Sequence, residues 1–187
     1  MSYRPFRAGV SVAIAAAVLL IAGADDATQP IEAGELKLTV PASWKKEAPK
    51  SAMRKAQLKV APVAGDTEPA ELVLFVFPNG AGTVEANIDR WEAQFVGAGG
   101  AKPKASVEKV KGANVDVTRV EVSGRYVAAV MPGGSDKVDK ADHRLLGAIV
   151  ETPQAGYYFK MTGPDKTMKA ASAGFDAMIK SINRSAD

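Results

Sequence analysis

Residues 71–77, Glu71-Leu72-Val73-Leu74-Phe75-Val76-Phe77, decide the fold because they form a nearly continuous apolar run of strand length. Aliphatic, β-branched and aromatic residues in such a run are typical of a strand that is buried on both faces. Pro78-Asn79-Gly80 follows directly and ends the strand. The sequence therefore predicts a sheet with this strand in its interior.

Two amphipathic helices are predicted, one shortly after this strand and one near the end of the chain. Thr83 can cap the first helix, in which apolar residues recur with helical spacing at Val84, Ile88, Trp91 and Phe95. Proline and an acidic residue in Thr162-Gly163-Pro164-Asp165 suit the start of the second helix. Its apolar face is formed by Met168, Ala171, Phe175, Met178, Ile179 and Ile182.

The remaining apolar segments have the alternation of half-buried strands, and short turns rich in glycine separate several of them. A change of parity between Val117 and Val120 predicts a bulge near Thr118 or Arg119. Residues 131–142 are polar and predict a loop. The fold class is therefore α+β, a central antiparallel sheet of about six or seven strands packed by two main helices. The other predicted strands are 35–40, 53–60, 105–111, 115–123, 125–131, 144–151 and 157–161.

The first 24 residues have the pattern of a secretory signal peptide. Arg4 and Arg7 precede an uncharged apolar run over residues 8–22, and Ala22-Gly23-Ala24 supplies the small residues of a cleavage site. The apolar run is shorter than the roughly 20 residues of a spanning helix. Cleavage near Ala24 would give a periplasmic or extracellular protein without permanent membrane insertion, whereas an uncleaved segment would anchor it.

This prediction divides the chain into a signal peptide over residues 1–24, a flexible leader over residues 25–33 and one domain over residues 34–187. The whole chain has 24 basic and 21 acidic residues, and the signal peptide contains two of the basic ones. A nearly neutral mature domain gives no reason to expect nucleic acid as a partner.

Composition excludes several kinds of chemistry. The chain has no cysteine, which excludes disulfides, a thiol nucleophile and a thiolate metal site. His143 is the single histidine, so sites built on two histidines of this chain are excluded as well. We expect no cofactor and no catalytic residue. Adjacent residues on a strand point to opposite faces, so Asp142 is poorly placed to orient the imidazole of its neighbour His143.

One acidic cluster is a weak candidate for a divalent cation site. Carboxylates and an imidazole within eight positions could hold calcium or magnesium, which prefer oxygen ligands. Interleaved lysines at positions 137 and 140 oppose cation binding, and a solvated loop is the alternative interpretation. The candidate ligands are Asp136, Asp139, Asp142 and His143.

A second candidate is a local basic patch after Trp44, interrupted only by Glu47. It could contact an acidic polymer, an anionic lipid surface or an acidic protein. A solvated loop and strand edge is again the alternative, because edge lysines discourage aggregation. The basic patch consists of Lys45, Lys46, Lys50, Arg54, Lys55 and Lys59.

Three stretches carry a resemblance to a known family. They are residues 36–44, with a strand, a proline and a tryptophan; residues 72–95, with the interior strand and first helix; and residues 157–164, which lead into the last helix. In their order and spacing, these stretches resemble the PsbP-like family and the related Ran-binding Mog-type proteins. The chain is most similar to the exported bacterial members of these families. The resemblance implies an α/β/α sandwich and a binding or accessory module rather than an enzyme.

The sequence thus favours an exported, non-catalytic accessory or binding module. The partner would be a protein or a small ligand held at an edge or groove of the sheet. Two alternatives remain open: a hydrolase that uses carboxylates and lysines, and a cation-dependent binding module.

Overall fold

A computed structural model describes residues 27–129 and 136–185. The predicted signal peptide, and with it the cleavage site at Ala24, lies outside the described residues. The helices are α1 (Val84–Glu92) and α2 (Asp165–Ser181), and a short 3-10 turn covers Ala98–Gly100. The strands are β1 (Thr28–Ala33), β2 (Leu36–Pro41), β3 (Lys45–Glu47), β4 (Arg54–Val60), β5 (Ala70–Pro78), β6 (Phe95–Val96), β7 (Ser106–Lys111), β8 (Asp116–Ala129), β9 (Lys137–Glu151), β10 (Ala155–Pro164) and β11 (Asn183–Arg184).

The centre of the molecule is an antiparallel sheet in the order β3-β4-β5-β10-β9-β8-β6, and β7 also pairs with β8. The predicted α+β class is confirmed. β5 contains the apolar run over residues 71–77, and it lies between β4 and β10 in the interior of the sheet, as predicted. Its alternate residues are buried on opposite sides, with Leu72 and Leu74 on one face and Val73 on the other.

The first face of this sheet is covered by α2 and by a small sheet of β1, β2 and β11. Leu72, Tyr157 and Phe159 point from the large sheet into a core that also includes Phe175 of α2 and Leu38 of β2. This is the larger of the two cores. Burial of apolar surface here provides most of the driving force for folding, because the chain has no disulfide.

The second face is covered by α1, whose Trp91 lies directly on the sheet. A Cβ atom at Gly147 would lie 2.3 Å from Trp91 Cζ3, so glycine is required here for close packing. Phe95 follows the helix and contacts Tyr126 of β8, with ring centroids 5.1 Å apart. The second core is small, and polar residues of β4 and β5 continue the second face beyond it.

Three sequence expectations are corrected by the structure. Thr28–Ala33, expected in a flexible leader, forms β1 and pairs along its whole length with β2. The predicted loop over residues 131–142 overlaps β9, which begins at Lys137. No bulge lies near Thr118, since Val117 and Val120 are buried on opposite faces of a regular strand. The irregularity lies where residues 124–126 of β8 face residues 140–143 of β9, and the extra residue is on β9.

Both strands have an unusual backbone conformation at this irregularity, and Asp142 of β9 adopts φ +48°. Gly124 adopts φ +150°, and a Cβ atom there would lie 2.6 Å from the carbonyl oxygen of Val96. The pairing of β8 with β9 shifts register between Gly124 and Tyr126. Tyr126 alternates with Val120 and Val122 onto the second face, where it contacts residues of β9 and β10.

Candidate functional site

A lysine in the middle of β10 occupies the second face of the sheet. Tyr157, Phe159 and Met161 alternate into the first core, so the intervening Lys160 points to the other side. In the strand register Lys160 is opposite Val73 of β5 and Gly147 of β9. Its aliphatic stem therefore crosses apolar surface, while its ammonium group reaches the border of α1.

The ammonium group of Lys160 is held by neutral partners. Lys160 Nζ donates to Gln94 Oε1 at 2.6 Å and lies 3.4 Å from the hydroxyl oxygen of Tyr126. It also lies 5.6 Å from the centroid of the Tyr126 ring. Among residues 27–129 and 136–185, no carboxylate pairs with it. We call Lys160, Gln94 and Tyr126 the Lys160 cluster.

The environment of Lys160 changes its protonation. Burial, together with the positive charge of Arg54, lowers the pKa of Lys160 from 10.5 to about 8, although Glu71 opposes this. Burial also raises the pKa of Tyr126, and the negative charge of Glu71 adds to that effect. Shifted lysine and tyrosine pKa values in neighbouring side chains are found often at functional sites.

Beside the Lys160 cluster, a hydrogen-bonded network surrounds Glu71. Arg54 Nη1 donates to Glu71 Oε2 at 3.0 Å and Lys50 Nζ donates to Glu71 Oε1 at 2.7 Å. Gln57, which is buried, donates to the same Oε1 at 3.0 Å and to Glu47 at 3.2 Å. Burial alone would raise the pKa of Glu71, but Lys50 and Arg54 hold it below its ordinary value.

The structure divides the basic patch between the two sides of the sheet. Lys45 and Lys59 are paired across β3 and β4, and Lys59 is opposite Glu71, so both belong to the second face. Arg54 and Lys50 join them through Glu71. We call these four residues, Lys45, Lys50, Arg54 and Lys59, the basic face.

The other two residues of the basic patch point elsewhere. Lys46 donates to the carbonyl oxygen of Pro30 at 2.8 Å, and Lys46 and Lys55 line a shallow groove beside β1. The contact patch suggested by the sequence is therefore two surfaces, and the larger of them adjoins the Lys160 cluster.

The candidate cation ligands lie in or next to β9 rather than in one loop. Asp139 is paired with Arg125, whose hydrogen bond holds the pKa of Asp139 below its ordinary value. Asp142 adopts φ +48°, and Asp136 directly precedes the strand. Within the described part of the chain, no three His, Asp or Glu side chains are grouped closely enough to hold a metal ion.

His143 is instead part of the surroundings of the Lys160 cluster. Its ring stacks on Tyr126, with centroids 6.2 Å apart and planes 11° apart, and Nδ1 lies 2.7 Å from the carbonyl oxygen of Ala141. Asp142 is not among its hydrogen-bond partners in the described residues. In the described part of the chain, no carboxylate hydrogen-bonds to the imidazole in the way that a general base requires.

Sequence reasoning missed the Lys160 cluster, although one signal was available. Lys160 is the single charge in the run Tyr157-Tyr158-Phe159-Lys160-Met161, where both faces of the strand are otherwise apolar. A charge in such a run is uncommon unless a partner or a function accounts for it. Gln94 and Tyr126 had no comparable signal, because their approach depends on where α1 ends and on the place of β8 in the sheet.

A charged groove beside α2 is a second polar site on the molecule. Arg119 contacts Asp176 at 2.8 Å and Glu121 at 3.0 Å, and Arg144 contacts Asp165 at 2.7 Å as well as Glu121. Each of these five charged side chains has an opposite charge in contact. The ion pairs fasten α2 to β8 and β9, which gives the groove a structural role.

Comparison with solved structures identifies the architecture. The cyanobacterial PsbP (CyanoP) from Synechocystis sp. PCC 6803 aligns with 85% of this chain and 93% of its own, with a TM-score of 0.53 and 12% identity. This chain has a PsbP-like fold. LpqN, described as involved in cell envelope biogenesis of Mycobacterium tuberculosis, shares the PsbP-like fold over 86% of this chain and 91% of its own, with a TM-score of 0.54 and 11% identity.

These likenesses concern the fold alone, because a shared fold at such low identity does not imply a shared function. No protein family profile and no curated protein sequence matches the chain. Within residues 27–129 and 136–185, neither helix has the length and apolarity needed to cross a membrane.

Proposed function

We propose that this protein is an exported, non-catalytic accessory module that binds an acidic protein partner through its basic face. The observation that carries the proposal is the local excess of positive charge. The basic face has four cations beside two carboxylates: Glu71 pairs with Lys50 and Arg54, and Glu47 pairs with Lys59. Lys160 adds a further cation beside them. An acidic surface docked here would neutralise the excess and gain from long-range attraction during encounter.

The exposure of the basic face supports a contact with a protein rather than with a small buried ligand. The side chains of Lys50 and Lys59 are 64% and 51% exposed, whereas Arg54 is 24% exposed and fixed by Glu71 and Gln57. Flexible exposed lysines set the rate of encounter, and a fixed, partly buried arginine gives orientation. The PsbP-like fold of a protein described as involved in cell envelope biogenesis is compatible with an accessory role in the envelope.

The export part of the proposal rests on the N-terminal sequence. Arg4 and Arg7, the apolar run and Ala22-Gly23-Ala24 together fit a cleaved signal. Intact-mass measurement on protein from the native host tests this directly. A mature chain that begins at Asp25 supports export with cleavage, whereas a persistent N-terminus would mean that the domain is tethered.

Differential capture tests the binding role. Immobilised wild-type protein and a Lys45→Glu/Lys59→Glu variant would be exposed to periplasmic or cell-surface extract, with Lys37→Glu/Lys111→Glu as the charge-matched control. Lys37 and Lys111 are exposed and lie outside the basic face. We expect one acidic protein to be retained by wild type and control, released by added salt, and lost with the basic-face variant. Retention by all three proteins, or no reproducible partner, would contradict the proposal.

A further inference from the structure

The Lys160 cluster has more hydrogen-bond donors than acceptors. Gln94 Oε1 accepts from Lys160, so the amide Nε2 of Gln94 keeps both of its hydrogens. Lys160 Nζ has three hydrogens and makes one short bond, and the Tyr126 hydroxyl has a hydrogen of its own to donate. None of these spare donors has an acceptor among residues 27–129 and 136–185.

The unpartnered amide nitrogen of Gln94 is open to solvent, and the cluster as a whole is only partly buried. Lys160, Gln94 and Tyr126 are each half-buried, and none of the described residues has a fully buried side-chain nitrogen or oxygen without a partner. The three side chains come from β10, from the residues after α1 and from β8, so they converge from different directions on one region of the second face. An acceptor that entered from solvent could reach several of them together.

The charges around the cluster define what kind of acceptor fits. Glu71 is the nearest carboxylate that influences Lys160, and it is already bonded to Lys50, Arg54 and Gln57. Arg54 is occupied by Glu71 and Gln57. The cluster therefore has one cation without a counterion, which a singly charged group balances, whereas a doubly charged phosphate would need a second free cation.

We propose that the Lys160 cluster binds a single carboxylate group of the acidic partner, with Lys160 Nζ, Gln94 Nε2 and the Tyr126 hydroxyl as donors. This inference rests on the proposed function and adds a specific anchor to the diffuse attraction of the basic face. A charge-assisted hydrogen bond in a partly desolvated site is stronger than one between exposed groups, so the anchor would fix the position of the partner.

The carboxylate could belong to an Asp or Glu side chain or to a chain terminus. Two small probes separate these sources: N-acetyl-aspartic acid amide carries a side-chain carboxylate, and N-acetyl-glycine carries a terminal one. Inorganic phosphate is the third probe. Binding would be followed by NMR of protein with 13C-labelled lysine, in which the Cε resonance of Lys160 reports both its protonation and its contacts.

We expect at least one of the two carboxylates to bind with millimolar affinity and to raise the pKa of Lys160, because the bound anion stabilises the ammonium form. Above pH 8 the affinity should fall about tenfold per pH unit, as Lys160 loses its proton. The other titratable groups that face the cluster are Glu71, Tyr126 and His143, while Arg54 stays charged. A His143→Gln variant should keep the same pH profile.

Three variants complete the test. Lys160→Met should fold, since an apolar side chain of similar length replaces a half-buried charge. It should weaken carboxylate binding at least tenfold, as followed through the backbone amide resonances of Gln94 and Tyr126 in 15N-labelled protein. Tyr126→Phe removes one donor and should weaken binding several-fold. Lys111→Met, at an exposed lysine outside both the cluster and the basic face, should leave the affinity unchanged.

The inference is overturned if neither carboxylate shifts the Lys160 resonance, if Lys160→Met binds as tightly as wild type, or if only phosphate binds. A failure here together with selective capture by the basic face would leave the proposed function standing. If the carboxylate bound but no partner were captured, the Lys160 cluster would be an anion site and the proposed function would be wrong.

Discussion

At Lys160 a charged side chain occupies a strand whose neighbouring residues are aromatic or apolar. Its neutral partners Gln94 and Tyr126 satisfy part of its hydrogen bonding but supply no negative charge. A half-buried ammonium without a counterion destabilises the folded state, because desolvation is only partly compensated. Retaining such a residue fits a binding role better than a structural one.

The stability of the protein should therefore depend on the protonation of Lys160. The pKa is about 8 in the folded protein and 10.5 in its ordinary state, so between these values the unfolded chain holds the proton more tightly. By linkage, the contribution of Lys160 to the free energy of unfolding rises between about pH 8 and about pH 10.5, by roughly 2–3 kcal/mol after allowance for partial exposure.

Urea unfolding at about pH 7 and about pH 10 measures this effect. Lys160→Met should be more stable than wild type at the lower pH, and the difference should largely disappear at the higher one. Subtracting the two proteins removes the opposing effect of Tyr126, whose pKa is raised on folding. Lys59→Met changes an exposed lysine, so its free energy of unfolding should differ from that of wild type by the same amount at both pH values. If the free energies of unfolding of Lys160→Met and wild type differed by the same amount at both pH values, the lowered pKa of Lys160 would be contradicted.

Gly147 is the residue on which the docking of α1 depends. Gly147→Ala would place a methyl group against the Trp91 ring and should lower the free energy of unfolding by about 1–3 kcal/mol through overpacking. Tryptophan fluorescence in a Trp44→Phe background reports whether Trp91 is displaced. Gly80→Ala is the control, because open space surrounds Gly80 and its φ of +78° adds only backbone strain of about 1 kcal/mol. An unchanged Trp91 spectrum in Gly147→Ala would show that the helix is not seated as described.

Among the elements, β1 shows most clearly what the sequence could not indicate. Thr28–Ala33 is short and polar, but Ile31 and Ala33 are buried and Gln29 donates to the carbonyl oxygen of Trp44 at 2.5 Å. Partners distant in the sequence provide these contacts, so local composition predicted a leader instead of a strand. β5 and α2 were predictable because their burial follows their own periodicity.

Trimming the N-terminus tests the role of β1. A chain that begins at residue 27 should unfold at the same temperature as the mature protein. A chain that begins at residue 34 loses the strand and leaves one edge of β2 unpaired, so its melting temperature should fall by at least about 4 °C, which corresponds to roughly 1–2 kcal/mol. Equal melting temperatures for the two chains would mean that residues 28–33 do not contribute to the fold.

The candidate site was predictable only in part, because many of its contacts also join residues that are distant in the sequence. The basic patch was visible as a local run, but its division between two surfaces depends on the alternation of β4 and on the bulge between Arg54 and Ala56. The Lys160 cluster joins residues 34 and 66 positions apart in the sequence, which no local pattern encodes. Asp139 and His143 were recognised as polar candidates, whereas their partners Arg125 and Tyr126 are set by strand pairing.

For the whole molecule, the two faces of the sheet have different tasks. α2 and the small sheet of β1, β2 and β11 close the first face over the larger core, which holds the protein together without disulfides. The second face has a smaller core under α1 and continues into the basic face and the Lys160 cluster. A stable face and an open, charged face suit a module whose function is to hold another molecule.

Lysine acylation followed by mass spectrometry, performed with and without the captured partner, tests this account most directly. The account predicts that Lys45, Lys50, Lys59 and Lys160 lose reactivity in the complex, while the exposed Lys37 and Lys111 react as in the free protein. Protection of Lys37 or Lys111 with unchanged labelling of the basic face and Lys160 would contradict it.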